Sequence, residues 1–230
     1  MRCVSITWLA VLTGCGRIGF ESGDPPSPDT AGSGRRAFRG LCELERVAII
    51  TNGISIDDAT GAQLQTSLAV GCSNSPVVRM VSQDDPAIVE PSTGRPLLPP
   101  DELAVIGGGD GPNRALAYLL ASGDTPLTWD SSTVRERGTG RVTASGSTTT
   151  TFDFPLLMVI EQPNGLRVLS GQGQRTQGTV AAGLWFATRL SPDITTNDHG
   201  WTVASWTDDD GTLGATPADT FVELESGGGR

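Results

Sequence analysis

Short apolar runs punctuated by glycine, proline and aspartate recur from about residue 38 onward, and their order predicts a fold class. Val47-Ala48-Ile49-Ile50 is a continuous apolar run closed by Thr51-Asn52-Gly53, the pattern of a buried strand that ends in a turn. Asp57 or Asp58 can cap a helix over 58–70, in which Leu64 and Leu68 share a face at i, i+4. Residues 77–81 read as a second strand, and 82–100 are proline-rich and irregular. Leu103-Ala104-Val105-Ile106 reads as a third strand, followed by a glycine turn at 107–112 and a helix over 113–121. Strand, helix, strand, strand, helix is the order of an α/β sheet with at least some parallel pairing.

The pattern then changes. Residues 131–151 are mostly Ser, Thr, Gly and Arg, which predicts an exposed hairpin or a mobile excursion. Two β-rich runs, 155–161 and 166–169, flank Gln162-Pro163-Asn164-Gly165, predicting an antiparallel hairpin near the sheet centre. A glycine-rich loop at 171–178 leads into an amphipathic helix over 179–190, with Trp185 on its buried side. Runs at 201–206 and 221–224 read as closing strands, with Asp208-Asp209-Asp210-Gly211 as a turn between them. No period of 20–50 residues recurs, which excludes a solenoid or propeller. The expectation is a single three-layer-like α/β domain over 38–230: a mixed, mostly parallel sheet with about three helices and an antiparallel hairpin.

The N-terminal segment is different in kind. Arg2 precedes a short apolar stretch at 4–12, too short to span a bilayer. Leu12-Thr13-Gly14-Cys15 resembles a bacterial lipobox, in which a branched and two small residues precede an invariant cysteine. The resemblance implies a lipoprotein signal peptide over 1–14 and a new N-terminus at Cys15, diacylated on sulfur. The alternative is an ordinary secretory signal with an incidental cysteine. Residues 15–37 would then be the lipidated cysteine and a flexible tether, rich in Gly, Pro, Ser and Asp. Such a tether has a coil dimension of roughly 25 Å and a stretched reach of about 70 Å. Gly16 stands where lipoproteins retained at the inner membrane resemble one another in carrying aspartate, so an outer-membrane address is expected, on either face.

Charge and cysteine count extend that reading. Sixteen basic residues, all arginine, face 26 acids, a net charge of −10. That balance argues against nucleic acid and against electrostatic docking on anionic lipid, leaving the lipid anchor as the membrane contact. With no lysine, a lysine Schiff base or general base is excluded. Of Cys3, Cys15, Cys42 and Cys72, cleavage removes the first and lipid occupies the second. Cys42 and Cys72 are then the remaining pair, expected as a disulfide in an oxidising compartment. A metal site is not expected, since two cysteines and the single histidine cannot complete a four-ligand shell without carboxylates.

Two segments carry a further resemblance. One is the run from Leu103 through Gly107-Gly108-Gly109-Asp110-Gly111-Pro112-Asn113 into a helix; the other is Val168-Leu169-Ser170-Gly171 with Gly178-Thr179-Val180-Ala181-Ala182. Together they resemble α/β modules of prokaryotic S-layer and surface proteins. Gly109-Asp110 departs from the proline expected there, and the middle insert is longer. The resemblance implies a structural or binding module of the envelope, without a cofactor.

Candidate sites follow from these loops. The turn at 107–113 offers glycine backbone before a helix N-terminus, the general form of an anion cradle, but lacks the Gly-Lys-Ser/Thr of a Walker loop. In a parallel sheet it would share the C-terminal strand edge with 171–179, so Asn113, Arg114, Arg175 and Thr176 are candidate ligand contacts. Trp201 and Trp206 are five apart and face opposite sides of a regular strand, so one can be core and the other exposed, with Trp201 a candidate sugar platform. His199 beside Asp198 has no Gly-x-Ser-x-Gly elbow to serve, and no catalytic residue is assigned. The expected function is a lipid-anchored protein with a non-catalytic structural or binding ectodomain, its partner a cell-wall or surface polysaccharide or an envelope protein. The alternative is a carboxylate-based hydrolase of envelope glycans, using acids such as Glu161 and Asp208–Asp210.

Overall fold

The structure, a computed structural model, describes residues 36–109, 111–212 and 214–228. Cys15, the expected signal peptide and nearly all of the expected tether therefore lie outside the described residues. The remainder is a mixed α/β domain. Strands β1 (Arg46–Thr51), β2 (Val77–Ser82), β3 (Glu102–Gly107) and β9 (Arg167–Gln172) are parallel, ordered β2-β1-β3-β9. Beyond β9 the sheet turns antiparallel through β8 (Leu156–Glu161), β10 (Trp201–Thr207) and β11 (Thr220–Gly227), with the short β7 (Phe152–Asp153) on β10. The β8–β9 hairpin sits at the centre of the sheet, as its turn sequence predicts.

Three layers follow from how the strands alternate. One face carries Val47, Ile49, Leu103, Val105, Leu157, Val159 and Leu169. It packs on Leu64 and Leu68 of helix α1 (Ser55–Cys72) and on Ala182 and Trp185 of α3 (Thr176–Trp185). The other face carries Ala48, Ile50, Ala104, Ile106, Met158, Ile160 and Val168 against Ala115, Leu116 and Leu119 of α2 (Arg114–Ser122). Burial on both faces is why these strands read as continuous apolar runs instead of alternating ones. Residues 131–151 form most of a separate three-stranded antiparallel sheet, β4 (Leu127–Trp129), β5 (Thr133–Glu136) and β6 (Val142–Ser145). Leu127, Val134 and Ala144 fix that sheet to the α2 side of the core.

Two expectations are corrected. Helix α3 starts three residues early and ends at Trp185, continuing as a π turn at Phe186–Leu190 and a 3-10 turn at Ser191–Thr196. Trp201 and Trp206 are both buried, at 1% and 0% exposure, where opposite exposure was expected. The reason is tertiary: β10 lies between β8 and β11, and the sheet is covered at both sites. Trp206 donates its indole N–H to Asp219 at 2.9 Å.

Cys42, in a 3-10 turn at Phe38–Glu43, is bonded to Cys72 at the last position of α1, with Cα atoms 5.1 Å apart and a sequence separation of 30. The bridge pins the entry of the domain to α1. Replacing both cysteines with serine is expected to lower unfolding free energy by about 3 kcal/mol. Urea unfolding of the two proteins under non-reducing conditions measures this.

Candidate functional site

The chain runs from β1 outward to β2 and then returns to β3, so the strand order reverses between β1 and β3. α1 covers one face and α2 the other, and their packing leaves a crevice outside the C-terminal strand ends at this switch point. Its walls are the turn after β1, the glycine turn after β3 and the 173–176 segment after β9. One hollow, about 260 Å³, is lined by residues including Ile54, Asp57, Gly109, Pro112, Arg175 and Thr176. An adjoining one, about 390 Å³, is closed by Trp129, Asp130 and Ser131 at the end of β4. Gly109, Pro112, Gly173 and Gln174 line both, so the two are one crevice.

The glycine turn exists because α1 comes very close. A Cβ on Gly107 would stand 2.2 Å from the Asp57 carbonyl oxygen and 2.7 Å from the Gly61 nitrogen. Gly108 has φ +97°, and a Cβ there would meet the Asp57 carboxyl carbon at 2.2 Å. A side chain at Gly107 would have to displace the helix backbone, and one at Gly108 would be strained by the positive φ and would have to displace the Asp57 carboxyl. Asp57 is itself 7% exposed and accepts a 2.7 Å bond from Asn52 Nδ2. Burial pushes its carboxyl above the ordinary aspartate value, the Asn52 bond works against this, and the neighbouring Asp58 charge adds to it.

The N-termini of α2 and α3 are already occupied by the protein's own side chains. Asn113 is the N-cap of α2, and its Oδ1 accepts from Leu116 N at 3.1 Å. At α3 the fully buried Asp153 accepts from the backbone N–H groups of Arg175 (2.8 Å), Gly178 (3.1 Å) and Gln174 (3.2 Å), and from Phe154 (2.7 Å). Desolvation raises its carboxyl above the usual value, and the four N–H groups hold it down. Asp153 thus sits where a bound anion would.

The sequence candidates separate accordingly. Arg175 and Thr176 line the crevice, although the Arg175 Nε donates to Thr148 Oγ1 at 3.1 Å. Arg114 does not line it; its guanidinium reaches the Gln83 carbonyl and, at 2.8 Å, Asp84. Asn113 is buried as a cap, and Trp201 is core and offers no face to a sugar. His199 is exposed near the start of β10, at the opposite sheet edge. Glu161 pairs there with Arg36 at 2.9 Å.

Other groups at the site were not singled out from the sequence. Trp129 and Asp130 lie in the segment preceding the polar stretch, with no periodicity to mark them. Backbone N–H bonds from Ser132, aided by the Ser132 hydroxyl and Thr133, hold the exposed Asp130 carboxyl below its usual range. Gln172 and Gln174 flank Gly173, and both oxygen and nitrogen of each amide are shielded without a hydrogen-bond partner.

Two further places bear on the chemistry. A hollow of about 510 Å³ at the opposite sheet edge is lined by Glu43, Glu45, Arg46, Asp101 and Arg167, and Arg46 pairs with Asp101 at 2.9 Å. Near β11, Asp208, Asp210 and Asp219 bring carboxylate oxygens within 4.8 Å of one another. These acids accept bonds from their own loop, including Gly211 N, Thr212 N and Thr216 N. No family model and no curated protein sequence matches this chain.

Two outcomes are expected. Asp153→Ala leaves several N–H groups of the α3 start unpaired and lowers stability by at least about 2 kcal/mol, read by urea unfolding. Asp57 has a raised native pKa, so the native state binds its proton more readily than the unfolded chain. Its stabilising contribution is full below the unfolded value of about 3.9 and is lost as pH rises through the native value. Asp57→Asn should therefore flatten the fall in unfolding free energy above about pH 4, measured by denaturant titration across pH.

Proposed function

We propose that this chain is a lipid-anchored protein of the cell envelope, held at the outer membrane through Cys15, whose α/β domain binds a partner in the switch-point crevice. The observation that carries this reading is the lining of the crevice. It combines glycine backbone, the Gln174 side chain, the hydroxyls of Ser131, Thr176 and Thr179 and the Trp129 indole with the charged Arg175, Asp57 and Asp130, beside helix ends closed by Asn113 and Asp153. Such a set fixes a ligand by shape and hydrogen bonds. Of the acid–base groups singled out in the sequence, His199 and Glu161 stand at the far sheet edge, away from the crevice. The partner class is a cell-wall or surface polysaccharide, or another envelope protein. The likeness of the 103–113 and 168–182 segments to surface-protein modules supports the same role.

A hydrolase of envelope glycans is the second reading, and one observation favours it. Asp57, with a raised carboxyl, and Asp130, with a lowered one, line adjoining parts of the crevice. Release of reducing sugar ends, abolished separately by Asp57→Asn and Asp130→Asn, would establish it over the binding reading.

The primary test uses the full chain expressed in a bacterial envelope. Radiolabelled palmitate is expected to enter the wild type and not Cys15→Ser, which should also leave the membrane fraction. The detergent-solubilised protein is expected to pellet with purified sacculi or surface polysaccharide and to leave the polymer intact. Labelling that persists in Cys15→Ser overturns the anchor. Failure to pellet with any envelope polymer moves the partner to an envelope protein.

A further inference from the structure

We infer that β2 is a docking edge for a second copy of this chain, the two β2 strands pairing antiparallel about a two-fold axis through Met80. This contact lies outside the crevice and is independent of what binds there. β2 ends the parallel half of the sheet, and among the described residues no strand pairs with its outer side. Helix α1 packs over β3 and β1 and leaves β2 as an overhang. Register with β1 sets Val78 beside Val47 and Met80 beside Ile49, so both stand on the α1 face with no helix above them. Met80 is 63% exposed, and Val77 and, in the last turn of α1, Val70 are each 72% exposed. The opposite edge is defended. There β11 carries Glu223 and Glu225, and Leu224 is an extra residue in its ladder with β10. β2 has an unbroken ladder with β1, no proline, and one charge, Arg79, which Glu102 neutralises through two bonds.

Charge points to a second copy as the occupant. A net charge of −10 makes two copies repel over most of their surface. Residues 59–78, from the second turn of α1 to the start of β2, hold no charged side chain, the longest such stretch in the sequence. A hollow of about 360 Å³ lies along them, lined by residues including Gln65, Thr66, Ala69, Val70 and Asn74. Across this face two copies can meet without like charges coming together, and depletion of charge marks the core of protein interfaces. Val70, Val77, Val78 and Met80 with the open strand edge present on the order of 500 Å² per copy, against about 800 Å² in a standard interface. The dimer is therefore of the weak, reversible class.

The backbone sets the register. Val77 N donates to the Glu45 carbonyl at 2.7 Å and Gln83 N to the Thr51 carbonyl at 2.9 Å, so the odd-numbered residues of β2 turn their backbone groups toward β1. Val78, Met80 and Ser82 therefore direct N–H and C=O outward. A two-fold axis perpendicular to the sheet makes the two strands antiparallel and keeps both α1 helices on one face. With the axis at Met80, Met80 faces its own copy and Val78 faces Ser82 of the second copy. Every outward N–H and C=O of these three residues is then paired, and Val78 and Met80 of both copies form one apolar ridge between the helices. Arg79 faces Val81 of the second copy. An axis at Arg79 would set two arginines directly opposite each other and would place Pro76, which has no N–H, in an outward position.

The test uses the full chain expressed in a bacterial envelope and solubilised in detergent, disulfide intact. Sedimentation equilibrium in density-matched detergent should show a monomer–dimer equilibrium that shifts with protein concentration. Met80→Lys puts two like charges on the axis and should weaken dimerisation about tenfold or more, while the melting temperature of the dilute protein stays near wild type. Cysteine cross-linking under air oxidation reads the register, since residues opposite each other in such a ladder have Cα atoms about 5.5 Å apart, within disulfide range. Met80→Cys should link to itself, and Val78→Cys should link when mixed with Ser82→Cys. Val78→Cys alone, Val222→Cys on β11 and the wild type should stay monomeric on non-reducing gels. A single monomer mass at every concentration overturns the inference, as does a dimer that Met80→Lys leaves intact. Cross-linking of Met80→Cys only to a protein of different mass overturns the second copy and makes β2 the dock of another partner.

Discussion

Helix α1 lies on the sheet at a distance that only glycine permits, and the geometry of the crevice depends on that contact. Gly107 and Gly171 are the points of approach on β3 and β9, where added Cβ atoms would meet Asp57 and Gly61 backbone or Leu64. Gly61 on the helix itself lies just 3.0 Å, measured from an added Cβ, from Ile49 of β1. The notch puts the first turn of α1, with Asp57, against the turn after β3. A helix held even an ångström further out would open the core between Leu64 and Leu157 and separate the walls of the crevice.

Closure of the helix ends is the second determinant, and it sets electrostatics where the notch sets shape. Helix N-termini at the C-terminal edge of parallel strands ordinarily attract anions. Here the buried Asp153 carboxylate, from a two-residue strand far away in the chain, satisfies the start of α3, and Asn113 satisfies α2. What remains along the crevice is polar, with Arg175 as the cation of its lining.

The outer strand of the parallel half is managed differently. β2 is exposed along most of its length, including Val77 and Met80, yet it is tied inward across β1. Arg79 donates two 2.7 Å bonds to Glu102, which is buried at the start of β3. A bidentate pair of this kind fixes register as well as position. The disulfide from Cys42 to Cys72 closes the same side of the domain, beyond the end of α1.

Much of the architecture was legible because burial writes itself into local pattern. The runs at 47–50 and 103–106 are apolar at every position since their strands are covered on both faces, and Gln162-Pro163-Asn164-Gly165 is a turn by its own chemistry. Two cysteines left over once the lipobox resemblance accounts for Cys3 and Cys15 were enough to expect their pairing. The site was less legible. Arg175 and Thr176 line the switch-point crevice, while Arg114 follows its own loop to Asp84 and Trp201 is sealed by neighbours that β10 acquires only in the sheet. Trp129, Gln172 and Gln174 carry no local signal, because an amide or indole is ordinary until its surroundings leave it unpaired or half-covered. The sequence by itself determined which segments are strands and helices, where turns fall and which cysteines can pair, since those depend on neighbours a few residues away. Only tertiary structure decided which helix ends are capped from afar and which polar groups face a common space, since those depend on residues brought together from Asp57 to Gly178.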